Sequence, residues 1–79
     1  MTERAATTTR EVFAERLKQA QAEADITNEA LARRVGVSVR LLQVWRSGKG
    51  APSASKFASL TVALKRDAAW FYETDKEAA

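Results

Sequence analysis

The sequence predicts one small all-α domain, and three observations support this prediction. The chain has 79 residues, too few for a second core, because so short a chain buries only about 60% of its unfolded surface. Apolar residues recur at spacings of three and four in successive segments, the period of amphipathic helices. No segment shows the two-residue alternation of a half-buried strand.

The first two predicted helices are an amphipathic helix and a short capped one. The first runs from Glu11 to Ala24. Its inward positions follow spacings of four, three and four: Phe13, Leu17, Ala20 and Ala24. Thr27 is a natural N-cap for a second helix over residues 28–35, which Gly36 ends because glycine adopts a left-handed conformation at little cost. Its inner face is Leu31, Ala32 and Val35.

A third helix follows after a three-residue turn that begins with Gly36. Ser38 caps this helix, which covers residues 39–47 and stops at Gly48. Its predicted apolar side is Leu41, Leu42 and Trp45. Two short helices joined in this way have the geometry of a helix-turn-helix, whose second helix enters a DNA major groove.

The remaining sequence predicts a loop and two more helices. After the loop over residues 48–52, either Ser53 or Ser55 can cap a fourth helix. Its inward residues are Phe57, Leu60 and Leu64. Asp67 is the expected cap of a short fifth helix that carries Trp70 and Phe71, and both tryptophans of the chain are expected in the core.

The charges are concentrated in the middle of the chain. Residues 26–66 hold eight Lys and Arg against the single acid Glu29, for a net +7, whereas residues 11–25 and 67–79 are both acidic. Such clustering is typical of a nucleic-acid-binding face, since each Lys or Arg near a phosphate releases condensed counterions. Charge alone equally fits a solvated basic surface that has no partner.

Composition excludes several functional classes. The chain has no Cys and no His, which excludes disulfides, thiolate nucleophiles, imidazole bases and zinc fingers. This removes most hydrolase, redox and zinc chemistry, and no constellation of the remaining residues supports an enzyme, so we expect no enzyme activity, no metal and no cofactor. The longest apolar run has five residues, Ala68 to Tyr72, and the first ten residues lack an apolar signal core. These features predict a soluble intracellular protein with no membrane association.

The run from Ile26 to Pro52 resembles the helix-turn-helix of the lambda-repressor-like family, also called the Cro/CI or XRE family. The matching features are Thr27, Leu31-Ala32, Gly36-Val37-Ser38, Leu42, Trp45, Gly48-Lys49 and Pro52. The resemblance extends from about Phe13 to Tyr72. It implies a five-helix DNA-binding domain over residues 11–73, preceded by a flexible arm over 1–10 and followed by a tail over 74–79.

Three residues depart from the family pattern. Asn28 is shorter than the Gln that usually follows the cap of the second helix. Arg46 replaces an acid that often follows the aromatic residue of the third helix, which adds a positive charge near the expected DNA backbone. Lys65 stands where a Gly usually closes the fourth helix.

The resemblance also implies which residues contact DNA. The base-reading residues are Ser38, Val39, Arg40, Gln43 and Val44, and the phosphate-binding residues are Asn28, Arg46, Ser47 and Lys49. Arg40 suits a guanine and Gln43 an adenine, because each offers a bidentate hydrogen-bonding pattern to that base. The two valines carry no hydrogen-bonding group, so they are limited to thymine methyl groups and groove shape.

The function implied is that of a sequence-specific transcriptional regulator of double-stranded DNA, a small Cro-type or immunity-type repressor in a bacterial or phage-infected cytoplasm. It would act as a homodimer with no small-molecule ligand. The candidate dimer residues are Trp70, Phe71 and Tyr72, and the alternative is a monomer that dimerises only on DNA. A second interpretation is a protein-interaction module or antitoxin that uses the helix-turn-helix fold as a scaffold.

Overall fold

A computed structural model describes residues 9–72 as four α-helices and one 3-10 helix. The elements are α1 (Thr9–Ala24), α2 (Asn28–Val35), α3 (Val39–Ser47), α4 (Ala54–Leu64) and a C-terminal 3-10 helix (Ala69–Tyr72). No strand occurs within residues 9–72, so the predicted all-α class is confirmed.

The two ends of the fold differ from the sequence prediction in detail. Helix α1 begins at Thr9, two residues before its predicted start. The rest of the predicted arm and the predicted tail lie outside the described residues. The fifth helix is a four-residue 3-10 turn, in which the Trp70 N–H donates to the backbone carbonyl of Asp67 at 3.1 Å. Four residues are too few to nucleate an α-helix, whereas a 3-10 turn needs fewer residues because its hydrogen bonds join residues three apart.

Hydroxyl side chains cap the three central helices. Thr27, Ser38 and Ser53 accept from the third backbone N–H beyond each cap, at 3.1, 3.0 and 3.3 Å respectively. Each of these bonds satisfies an N–H that has no partner inside its helix and contributes about 1 kcal/mol. Ser53 rather than Ser55 therefore starts α4.

One core holds the helices together. Its buried residues include Phe13, Leu17, Ala20, Leu31, Ala32, Val35, Leu42, Trp45, Leu60, Leu64 and Phe71. Ala24 was expected to be buried but is exposed, because it is the last residue of α1 and Asp25 then takes a left-handed φ of 54° that turns the chain. Trp70 and Phe57 are only partly buried at the edge of the core.

An aromatic cluster joins the two ends of the described chain. The ring of Phe13 on α1 lies 5.9 Å from Phe57, 5.6 Å from Phe71 and 6.0 Å from Tyr72, measured between centroids. Such aromatic pairs add stabilisation beyond their buried area. Helix α1 thus contacts both the 3-10 helix and α3, while α2 contacts α3 and α4.

Candidate nucleic-acid interface

The turn between α2 and α3 is held by backbone hydrogen bonds and by one lysine. Gly36 ends α2 in a left-handed conformation, with φ 86°. The N–H groups of Gly36 and Val37 both donate to the carbonyl of Ala32, at 2.8 and 3.0 Å. The Lys56 ammonium reaches from α4 to within 3.4 Å of the carbonyls of Val35 and Gly36. These bonds tie the turn to both α2 and α4.

Helix α3 buries one side and leaves the opposite side in solvent. Leu42 and Trp45 are inward, whereas four of the predicted base-reading residues are exposed. These four are called the recognition face: Ser38, Arg40, Gln43 and Val44. The fifth, Val39, is partly buried against the core, so only part of its side chain lies at the surface.

Leu41 was placed on the inner side of α3 by the sequence pattern, and that prediction is wrong. The buried stripe is centred between Leu42 and Trp45, so Leu41 lies at its edge with 40% of its surface exposed. Val44, one turn further along, is 36% exposed. Residues three apart on a helix are neighbours, so Leu41 and Val44 form an apolar strip at the edge of the recognition face.

The loop after α3 positions Lys49 through Ser47. Gly48 adopts φ 82°, the Ser47 hydroxyl donates to the Val44 carbonyl at 2.8 Å, and the Lys49 N–H donates to the Ser47 Oγ at 3.3 Å. The loop then runs close to Val44, since a Cβ at Gly50 would lie 3.0 Å from a Val44 methyl. Ser47 and Lys49 are both exposed, but the hydroxyl of Ser47 is already engaged in shaping the loop.

Gln21 joins two predicted phosphate-binding residues, and the sequence interpretation missed it. This α1 side chain is only 6% exposed. Its Nε2 donates to the Asn28 Oδ1 at 2.7 Å and to the Ile26 carbonyl at 3.0 Å. Its Oε1 accepts from the Arg46 guanidinium at 2.6 Å. The start of α2 and the end of α3 are therefore connected through one buried amide.

These bonds orient both partners of Gln21. Asn28 uses its carbonyl oxygen as an acceptor, which leaves its amide N–H groups as donors for an anion. Arg46 is half-buried and retains further N–H donors beyond the one bonded to Gln21. The sequence did contain a signal, because Gln21 follows Phe13 and Leu17 at a constant spacing of four and hence falls on the buried side of α1.

The basic middle of the chain is divided between several surfaces. Arg40 belongs to the recognition face, and Arg46 and Lys49 come from the end of α3 and the loop after it. Arg66 instead forms an ion pair with Glu23, and its guanidinium lies 4.6 Å from the centroid of the Trp70 ring. Arg34 and Lys65 line a groove beside α4. The net +7 is thus not one continuous face.

A comparison with protein-family models matches residues 17–71 to a helix-turn-helix family of Cro/CI, XRE type. The match covers more than half of the chain and includes α2, the turn and α3. The chain belongs to the Cro/CI-type helix-turn-helix family. No curated protein and no solved structure matches it.

Membership of the Cro/CI-type family makes this chain a DNA-binding helix-turn-helix regulator, from a family that is generally non-enzymatic. Within residues 9–72 no helix is long and apolar enough to cross a membrane. The same described part contains no group of three acidic side chains arranged to hold a metal ion.

The candidate dimer residues of this Cro/CI-type domain have different environments. Phe71 is completely buried in the domain's own core, so it has no surface to offer a partner. Trp70 is half-buried, with the guanidinium groups of Arg16 and Arg66 within 4.9 Å of its ring centroid. Tyr72 is 40% exposed, and partial burial raises the pKa of its phenol. Tyr72 is the most accessible of the three.

Proposed function

We propose that this Cro/CI-type domain recognises a specific duplex sequence and regulates transcription by occupying an operator, as a small Cro-type or immunity-type repressor. The observation that carries the proposal is the recognition face of α3, in which the polar side chains of Arg40 and Gln43 are exposed to solvent. A helix exposed in this way fits a major groove, where base edges differ in their hydrogen-bonding groups.

The residues divide into readers and anchors. Arg40 donates two hydrogen bonds to a guanine, and Gln43 pairs with an adenine. Val44 and the exposed part of Val39 contact thymine methyl groups, and Ser38 contacts a base or phosphate beside the helix N-terminus. The anchors bind phosphates and contribute affinity at every sequence: Asn28, Arg46 and Lys49. Ser47, which the sequence placed among them, instead holds the loop that carries Lys49, because its hydroxyl is bonded to Val44 and Lys49.

Two copies of the domain are needed for repressor affinity. A single α3 covers only a few base pairs, whereas two copies bind half-sites about 34 Å apart on one face of the duplex. We infer a homodimer on DNA, with Tyr72 and the exposed edge of Trp70 as contact residues.

Selection of duplexes from a random library tests the proposal. We expect enrichment of an approximate palindrome with a guanine in each half-site opposite Arg40. Placed across a promoter, this duplex should reduce reporter output, and Arg40→Ala should restore the output. Failure to enrich any duplex, together with binding to an acidic protein, would favour the interpretation of the fold as a scaffold or antitoxin. Increased reporter output would identify an activator.

A further inference from the structure

A groove beside α4 shares no residue with the recognition face or the phosphate anchors. Its lining residues are Arg34, Ala58, Ser59, Val62, Ala63 and Lys65, and it is an open groove of about 510 Å³. Arg34 comes from the C-terminal end of α2, and the other five residues come from α4 and its end. This set is called the α4 groove.

The floor of the α4 groove is apolar and accessible. Val62 is 77% exposed, the highest value among the large apolar residues of the described part. Ala58 lies one helical turn before it, so the two side chains are neighbours on the exposed side of α4.

Lys65 occupies the groove edge in an unfavourable backbone conformation. Its φ is 57° and its ψ is 46°, in the left-handed region that ends α4. Gly36 and Gly48 end α2 and α3 in the same region, where glycine has no Cβ to strain. A lysine at the end of α4 makes the domain less stable than a glycine would, because its Cβ is strained in this conformation. It also places a cation at the groove.

Two cations border the groove without an internal partner. Neither Arg34 nor Lys65 forms an ion pair or a side-chain hydrogen bond among residues 9–72. The nearby Arg66 is different, because Glu23 neutralises it. An exposed apolar floor with free positive charges at its edge is complementary to a ligand that carries apolar and acidic groups together.

We propose that the α4 groove binds an acidic amphipathic segment of a partner protein. Apolar side chains of the segment rest on Val62 and Ala58, and its carboxylates pair with Arg34 and Lys65. A nucleic-acid backbone fits less well, because phosphates and sugars offer no apolar side chain to cover Val62. Since the groove shares no residue with the recognition face, the segment binds while the domain is on DNA.

Peptide display tests this proposal on the full chain. Random 14-residue peptides are selected against the protein saturated with duplex DNA and, separately, against the free protein. We expect enrichment of peptides that combine Asp and Glu with apolar residues at helical spacing. In fluorescence anisotropy, Val62→Asp and Lys65→Glu should each weaken an enriched peptide tenfold or more. Lys49→Glu is the matched control, which should weaken duplex binding and leave peptide binding unchanged.

Several results would overturn the α4 groove assignment. The first is enrichment of no acidic peptide, or of peptides whose binding is unchanged by Val62→Asp. The second is displacement of the peptide by excess duplex, together with equal losses of duplex affinity and peptide affinity in Lys65→Glu. That result would make the groove a DNA contact. The third is self-association that Val62→Asp abolishes, which would make a second copy of the chain the occupant. Selection on free protein keeps this test independent of DNA binding.

Discussion

Gln21 accepts a hydrogen bond from the Arg46 guanidinium at 2.6 Å, which ties the buried side of α1 to the end of α3. The same amide donates to Asn28 at 2.7 Å, at the start of α2. Because Gln21 is buried and its rotamer is held by three bonds, it sets the separation between two side chains that would bind phosphates. We infer that Gln21 positions the two proposed phosphate-binding residues, Asn28 and Arg46.

Replacing Gln21 should therefore weaken DNA binding without unfolding the domain. Gln21→Leu keeps the volume of the side chain but removes both links, and we expect a loss on the order of 1 kcal/mol in affinity for every duplex. Gln19→Leu, on the exposed side of the same helix, is the control and should have no effect. Equal affinities of Gln21→Leu and the unaltered protein would show that the network does not position the anchors.

Much of the fold follows from local sequence signals. Thr27, Ser38, Gly36 and Gly48 have side-chain or backbone properties that specify helix ends independently of the rest of the chain, and the structure confirms the ends they predict. The C-terminal element was harder to predict, because a cap and an apolar run do not distinguish a short α-helix from a 3-10 turn. In the structure Phe71 of this element packs against Phe13 of α1, a contact that local sequence signals do not contain.

The site was predicted less completely, for a related reason. Exposure of Arg40 and Gln43 follows from helix periodicity once the buried side of α3 is known. The position of Leu41 at the boundary depends on the packing of α1 against α3, which periodicity does not contain. The bond between Gln21 and Arg46 spans 25 residues of sequence, and no local pattern relates the two.

Arg40 and Lys49 should have separable effects on DNA binding. Arg40→Ala should cost about 1 to 3 kcal/mol at the preferred site and relax the preference at one base pair, because a bidentate contact to a base is lost. Lys49→Ala should weaken all sequences alike, because a phosphate is the same at every position. Binding of both variants to a set of single-base operator variants measures this difference. An unchanged base preference in Arg40→Ala would move the recognition face elsewhere.

Duplex binding should weaken steeply with salt. Arg46 and Lys49 would neutralise two phosphates per protomer, so we expect a slope of log affinity against log salt of about −2 per protomer bound. Lys49→Ala should reduce the magnitude of this slope by about one. Lys65→Glu should leave it unchanged, because the α4 groove lies outside the anchors. Anisotropy titrations from low to physiological salt measure the slope, and a flat profile would contradict phosphate anchoring.

The operator complex should contain two copies of the chain. We expect a two-to-one complex on a palindromic duplex, and Tyr72→Ala should reduce the cooperativity of the second copy, because Tyr72 is the exposed aromatic residue at the C-terminal end. Light scattering at micromolar and tens-of-micromolar protein, with and without operator, gives the stoichiometry. The control is Val62→Ala, which removes an exposed apolar side chain on α4. Strict one-to-one binding under all conditions would contradict the homodimer.

Lys65→Gly should stabilise the domain while weakening the α4 groove. At φ 57° a lysine is strained relative to glycine, so the substitution should add about 1 kcal/mol to the free energy of unfolding. For a domain of this size, that gain corresponds to a rise in Tm of about 4 to 8 °C. Thermal unfolding by circular dichroism measures it, with Lys18→Gly in the middle of α1 as a control that should lose stability.

Peptide-binding measurements on the same variants separate the effect of the Lys65 backbone conformation from the effect of its charge. Lys65→Gly should bind an enriched acidic peptide more weakly, because one of the two cations at the groove edge is gone. Lys65→Asn separates the two effects, since Asn tolerates the left-handed conformation but carries no charge. We expect Lys65→Asn to match Lys65→Gly in peptide affinity and to gain less stability. If both variants were more stable and bound the peptide as tightly as before, the lysine would be strained for no gain in binding.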